Sequence, residues 1–161
     1  MAREWTGTTD SPDETRRVAR ALGAACVGGE LFLLVGDLGT GKTCFIQGLA
    51  QGLDVQEYVH SPTFVMVAQY RGRRPLYHVD LYRVESEIEA IELGLDEMLS
   101  NDSVCAVEWA DKALPVFPED RLMVTLTDLG GDRRRIALRA SSRRHEALLA
   151  RLQTAAGQRK R

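Results

Sequence analysis

Residues Gly36–Thr43 read Gly-Asp-Leu-Gly-Thr-Gly-Lys-Thr, a complete G-x-x-x-x-G-K-[ST] string placed directly after the apolar run Leu31-Phe32-Leu33-Leu34-Val35. No other feature constrains the fold as tightly. Such a string works between a strand and a helix, where its glycines let backbone N–H groups converge on phosphate oxygens and the helix turns its positive end toward them. Lys42 then supplies a mobile charge for the β- and γ-phosphates, and the Thr43 hydroxyl a magnesium ligand. The five-residue apolar run, lacking polar alternation, is the pattern of a strand covered on both faces, as parallel strands in α/β proteins are. Downstream, Ile46, Leu49, Ala50 and Leu53 recur at helical spacing and define one buried face, with Gly52 or Asp54 as the end of that helix.

At 161 residues the chain suits a single domain over residues 1–157, followed by a short, frayed basic tail at 158–161. A second nucleotide-handling module has no room. No run of eighteen apolar residues occurs and the first ten residues are polar, so neither a membrane span nor a secretory leader is expected, and a cytoplasmic protein is. Cys26, Cys44 and Cys105 are odd in number, far apart and outside any metal-binding spacing, which points to reduced thiols. The net charge of −2 hides an asymmetry: residues 133–161 hold ten of the 21 Lys and Arg but, in Glu146, only one of the 23 acids. A basic segment of this kind can meet nucleic acid or an acidic partner. Without aromatic residues to stack on bases, its end reads as solvated helix and tail, and no DNA partner is expected.

Ser11-Pro12-Asp13-Glu14 is a helix start with Ser11 as cap, and Val18, Leu22 and Ala25 form one face of a helix ended by Gly28-Gly29. Phe64–Tyr70 and Pro75–Val79, joined at Arg71-Gly72-Arg73-Arg74, look like an antiparallel hairpin inserted beside parallel strands. Ser86 with Glu89 caps a helix whose apolar face is Ile88, Ile91, Leu95 and Met98. Val104–Val107 reads as a central strand delivering Glu108 and Trp109 at its C-terminal end, where α/β sheets hold ligands. A second hairpin over 121–126 and 135–138, turning at Asp128-Leu129-Gly130-Gly131, precedes a final helix from about Ser142 to Thr154.

Nucleotide hydrolysis needs an acid for magnesium, a group that orients water and a γ-phosphate sensor. Glu108 and Asp80 both end apolar strands and compete for the magnesium role. Glu108 can also serve as general base. Thr63, in a Pro-containing loop about twenty residues beyond Lys42, is the candidate sensor. Trp109 is either a neighbour of the nucleotide or a core residue, and Arg83 either a phosphate contact or a surface charge. Asp128-Leu129-Gly130-Gly131 formally fits the D-x-x-G of GTPases, yet it comes after Glu108 and inside a hairpin turn, where Asp and Gly serve backbone geometry. No N-K-x-D string accompanies it.

Taken with Gly36–Thr43, the strings Ser61-Pro62-Thr63-Phe64, His78-Val79-Asp80-Leu81-Tyr82-Arg83 and Val107-Glu108-Trp109 resemble the TsaE (YjeE) family of bacterial ATPases. The resemblance implies a three-layer α/β P-loop NTPase domain with a mixed, mostly parallel sheet and antiparallel hairpin additions. It implies ATP with Mg2+ as cofactors, and weak hydrolysis stimulated by the TsaD and TsaB proteins, in synthesis of threonylcarbamoyladenosine at position 37 of ANN-decoding tRNAs. Contact with tRNA would then run through that complex. Residue by residue, it puts Gly36, Asp37, Leu38, Gly39, Thr40, Gly41, Lys42, Thr43 and Cys44 on the phosphates, Thr43 and Glu108 on magnesium, Asp80 and Thr63 in support, and Trp109 beside the site. Ser11 and Gly131 would contact the adenosine part. Two rival readings remain at this level, a small-molecule P-loop kinase and a nucleotide-gated binding module without productive turnover.

Overall fold

The structure, a computed structural model, describes residues 3–159, with side chains through residue 152. Of the tail expected at 158–161, the last two residues lie outside the described residues, and Gln158 and Arg159 belong to the final helix. The strands are β1 (Arg3–Thr9), β2 (Leu31–Val35), β3 (Val67–Tyr70), β4 (Leu76–Asp80), β5 (Val104–Glu108), β6 (Leu122–Gly130) and β7 (Arg133–Ala140). The helices are α1 (Pro12–Ala25), α2 (Lys42–Gly52), α3 (Glu87–Glu92), α4 (Leu95–Met98) and α5 (Arg143–Arg159). One sheet runs in the order β1-β7-β6-β2-β5-β4-β3. Strands β6, β2, β5 and β4 pair in parallel, while β7 and β1 extend one edge and β3 the other in antiparallel fashion. Among the described residues the six pairings thus divide evenly, three of each kind, and the sheet is mixed rather than mostly parallel. No helix among them is long and apolar enough to cross a membrane.

Alternation along the central strands builds two cores. Phe32 and Leu34 of β2 join Val104 and Ala106 of β5 under α1, α2 and α5, whereas Leu31, Leu33, Cys105 and Val107 face α3, α4 and the two 3-10 turns. Burial pushes the Cys105 thiol up to about 12 and the Cys26 thiol well above its ordinary value, and all three cysteines are free. Helices α1 and α2 approach to backbone contact: a Cβ on Gly23 would stand 2.3 Å from the Leu49 carbonyl oxygen, and one on Gly48 2.4 Å from that of Arg16. This glycine-lined seam seats α2, and with it Lys42 and Thr43 at its start.

Both expected caps form. Ser11 Oγ accepts from the Glu14 N–H and Ser86 Oγ from the Glu89 N–H, while each glutamate reaches back one residue further than the cap, to Asp10 N and Glu85 N. Elsewhere the structure corrects the sequence. Helix α1 stops at Ala25, ahead of Gly28-Gly29. The polar start is strand β1, sustained by its ladder to β7. The expected antiparallel hairpin forms from β3 and β4, but β4 is also part of the parallel core, pairing with β5 on its other side. The helix expected after Ser86 is broken at Gly94, whose left-handed φ of +83° separates α3 from α4, leaving Ile88 68% and Ile91 58% exposed. The second hairpin is longer than anticipated and turns beyond Gly130.

Candidate functional site

The Gly36–Thr43 loop lies between β2 and α2, at the C-terminal end of the parallel strands. Its shape rests on internal bonds: Thr40 Oγ1 donates to the Asp37 carbonyl at 2.9 Å, and Lys42 Nζ donates to the carbonyls of Gly36 (2.6 Å) and Asp37 (2.9 Å). Gly39 and Gly41 hold φ of +81° and +99°, which side-chain-bearing residues rarely adopt. Gly36 is required for a different reason, since a Cβ there would meet Thr40 Oγ1 at 2.6 Å and the Leu126 carbonyl oxygen at 2.7 Å. Burial pushes the Lys42 ammonium below the usual lysine range, opposed by the negative charges of Glu108, Asp111, Asp80 and Asp37.

Parallel pairing of β4 with β5 sets Asp80 opposite Glu108. Glu108 ends a fully buried strand and points to the α2 side of the sheet, because its period-2 companions Val104 and Ala106 lie in that core. There Thr43 Oγ1 donates to the carboxylate, 3.0 and 3.1 Å from its two oxygens, and His78 Nε2 stands 2.6 Å from Oε2. His78 is wholly buried, and its Nδ1 has no hydrogen-bond partner among the described residues, so Glu108 is the polar contact that fixes this ring. Asp80 is fully engaged: Oδ2 accepts from Ser61 (2.6 Å) and Thr63 (3.0 Å), and Oδ1 from the Tyr82 N–H (2.9 Å). Trp109 follows Glu108 in a left-handed conformation, φ +58°, a strained state for an aromatic residue. The ring it positions lies 4.0 Å from Lys42 Nζ, in cation–π range, and 5.1 Å from the Tyr82 ring.

These groups line a cleft of about 590 Å³: Leu38, Gly39, Gly41, Lys42, Thr43 and Cys44 on one side, and Ser61, Thr63, Asp80, Tyr82, Glu108 and Trp109 on the other. The residues expected to act together, Lys42, Thr43, Thr63, Asp80, Glu108 and Trp109, therefore do meet. Gly36, Asp37 and Thr40 shape the loop without lining the cleft. Ser11 and Gly131 do not line it either; Ser11 caps α1, beside the Pro12 carbonyl that accepts from Cys44 Sγ (3.3 Å), and Gly131 sits in the β6–β7 turn. Arg83 stacks on the exposed ring of Phe64 instead of entering the cleft. Asp128 accepts from Gly130 N within the hairpin, in keeping with a turn residue.

Sequence reasoning passed over three participants. Ser61 could have been found as the first residue of the string containing Thr63. His78 lies two residues before Asp80, hence on the same face of β4, which is a usable signal. Arg134 had none: its guanidinium reaches the Gly39 and Thr40 carbonyls at 3.1 and 3.2 Å from 94 or more residues away.

Fold and site define a single α/β protein with a mixed sheet, in which a G-x-x-x-x-G-K-T loop joins a central parallel strand to a helix beside a Thr–Glu–His cluster. The family model described as "Threonylcarbamoyl adenosine biosynthesis protein TsaE" matches residues 9–136. The chain belongs to the TsaE family. A tRNA threonylcarbamoyladenosine biosynthesis protein TsaE of Bacillus subtilis is 42% identical over 141 residues, spanning 87% of this chain and 88% of the relative. One from Treponema pallidum is 37% identical over 128 residues, spanning 80% and 95%. The crystal structure of Bacillus subtilis YdiB matches with a TM-score of 0.84 at 35% identity, covering 97% of this chain and 98% of that one.

Proposed function

We propose that the chain is a P-loop ATPase serving as accessory subunit in the synthesis of threonylcarbamoyladenosine at position 37 of ANN-decoding tRNAs, acting on a complex of the TsaB and TsaD proteins in the cytoplasm. The observation that carries the ATPase reading is the contact between Thr43 and Glu108 beside Lys42. It brings a hydroxyl, a carboxylate and a cation to one end of the loop, the set that nucleotide hydrolysis requires.

The donors fit magnesium. Among the described residues no group of three or more His, Cys, Asp or Glu could hold a metal, and Mg2+ bound with nucleotide needs only one or two protein oxygens plus phosphates and water. Thr43 and Glu108 would hold it, neutralising developing phosphate charge. Asp80, whose Oδ2 accepts from Ser61 and Thr63 and whose Oδ1 accepts from the Tyr82 N–H, would orient Ser61 and Thr63 toward the γ-phosphate, while Glu108 takes the metal through its contact with Thr43. Lys42 would exchange the Gly36 and Asp37 carbonyls for β- and γ-phosphate oxygens, and Trp109 and Tyr82 would shield it from water. Glu108, oriented by Thr43 and His78, would hold the metal through an intervening water and act as general base toward the attacking water. Ser11 and Gly131 are proposed at the adenosine end and Cys44 at the phosphates, through its backbone N–H.

A kinase reading finds less support, because Arg134 is tied down in the hairpin and not placed on a lid. Reconstitution tests the pathway assignment: tRNA is incubated with TsaB, TsaD, threonylcarbamoyl donor and ATP, with or without this protein, and modified nucleoside is quantified after digestion. Repeated-cycle product should depend on this chain and fail with Lys42→Ala. Equal product without the chain would refute the accessory role.

A further inference from the structure

Arg134 of β7 makes five hydrogen bonds through one guanidinium. Nε donates to the Thr40 carbonyl (3.2 Å) and Nη2 to the Gly39 carbonyl (3.1 Å), while Nη1 donates to Asp128 Oδ1 (3.0 Å) and to the carbonyls of Gly131 (2.7 Å) and Arg133 (2.8 Å). Its side chain is only 17% exposed. The rigid fork therefore bridges two structures distant in sequence, the Gly36–Thr43 loop and the tip of the β6–β7 hairpin.

Among the described residues all peptide bonds are trans. In a trans peptide, a carbonyl and the N–H that follows it point in opposite directions. Holding the Thr40 carbonyl against the guanidinium therefore turns the Gly41 N–H to the opposite side, and holding the Gly39 carbonyl turns the Thr40 N–H toward Asp37, whose carbonyl it meets at 3.3 Å. Gly39 and Gly41, both free to take many conformations, are the loop's softest points, and Arg134 acts on the segment between them. We infer that Arg134 is a positioning residue that holds the Gly36–Thr43 loop in its anion-binding shape and couples that shape to the β6–β7 hairpin. As regards ATP, this rests on the nucleotide reading above; as regards loop geometry, it does not.

The test compares wild type, Arg134→Ala and Arg134→Lys in two readouts: amide hydrogen exchange of the peptide covering residues 36–43 in the free protein, and ATP affinity by calorimetry. Arg134→Lys keeps the charge but lacks the fork. Both variants should exchange faster across the loop, and ATP should bind about tenfold more weakly, the effect of losing charge-assisted bonds. An unchanged exchange rate, or full restoration of wild-type behaviour by Lys, would overturn the inference. Faster exchange in the variants of a protein whose wild type binds no ATP would sustain Arg134's role and remove the nucleotide reading instead. Loss of thermal stability with loop exchange and ATP affinity both intact would reduce Arg134 to a hairpin staple.

Discussion

Thr43 and Glu108, 65 positions apart in the chain, meet with the threonine hydroxyl 3.0 and 3.1 Å from the two oxygens of the carboxylate. One residue lies in the first turn of α2, the other ends β5, and their contact exists because the loop strand β2 and β5 are parallel neighbours. Under the proposed function, substrate handling and chemistry should separate across this contact. Lys42→Ala should abolish measurable ATP binding, whereas Glu108→Ala should retain it, because the loop's backbone and Lys42 carry the phosphate affinity. Isothermal titration of each variant checks this, and equal loss in both would contradict it.

His78→Phe should leave ATP binding near wild type and lower turnover about ten- to hundredfold. It keeps the buried ring but removes a hydrogen bond to a charged group, worth roughly 1.5–3 kcal/mol. A KM that rises while kcat stays constant would show that His78 supports binding and not the alignment of Glu108.

Gly48→Ala should destabilise the protein although alanine favours helix by about 1 kcal/mol. Its Cβ would stand 2.4 Å from the Arg16 carbonyl oxygen and 2.7 Å from Ala19 Cβ, so α1 and α2 must separate, at about 1–3 kcal/mol. Thermal unfolding should show a midpoint lower by a few degrees, and a larger drop for Gly48→Val. A raised midpoint for Gly48→Ala would mean that the seam yields freely.

His145 makes stability pH-dependent. Wholly buried, it accepts the Leu31 N–H on Nε2 at 3.0 Å, and its Nδ1 lies 3.0 Å from Asp120 Oδ1. Burial holds its pKa below the ordinary 6.5, despite the opposing pull of Asp120 and Glu30. Between the folded value and 6.5 the unfolded chain binds the extra proton, so stability is full above about pH 6.5 and declines as pH falls, by at most about 1.4 kcal/mol per pH unit. Denaturant unfolding from pH 8 to 5 should show this decline in wild type and a shallower one in His145→Gln. Parallel curves would contradict it.

What the sequence disclosed and what it withheld divide along physical lines. The loop, α2, β5 and the late hairpin were legible because each carries its own signal, whether glycine spacing, helical periodicity or an unbroken apolar run. Strand β1 was not, since Trp5-Thr6-Gly7-Thr8 alternates weakly and becomes a strand only against β7. Ile88 and Ile91 misled because periodicity assumes a continuous helix, and Gly94 ends it. In the site, residues at strand ends and in the loop were found, while His78 and Arg134 depend on register and on a contact across the fold. Asp80 and Glu108 could not be ranked from sequence; the contact of Glu108 with the loop residue Thr43, set against that of Asp80 with Ser61 and Thr63, supplies the ranking proposed above.

Under the proposed function, the loop and Glu108 form an ATPase that answers to the threonylcarbamoyladenosine machinery. This is tested most directly by the rate of ATP hydrolysis of the purified chain, alone and with TsaB, TsaD and tRNA, for wild type and Glu108→Ala. Turnover should be weak alone, strongly stimulated by the partners, and about 10²- to 10⁴-fold lower in the variant. Phosphate transfer to a metabolite with no response to the partners, or undiminished hydrolysis by Glu108→Ala, would contradict it.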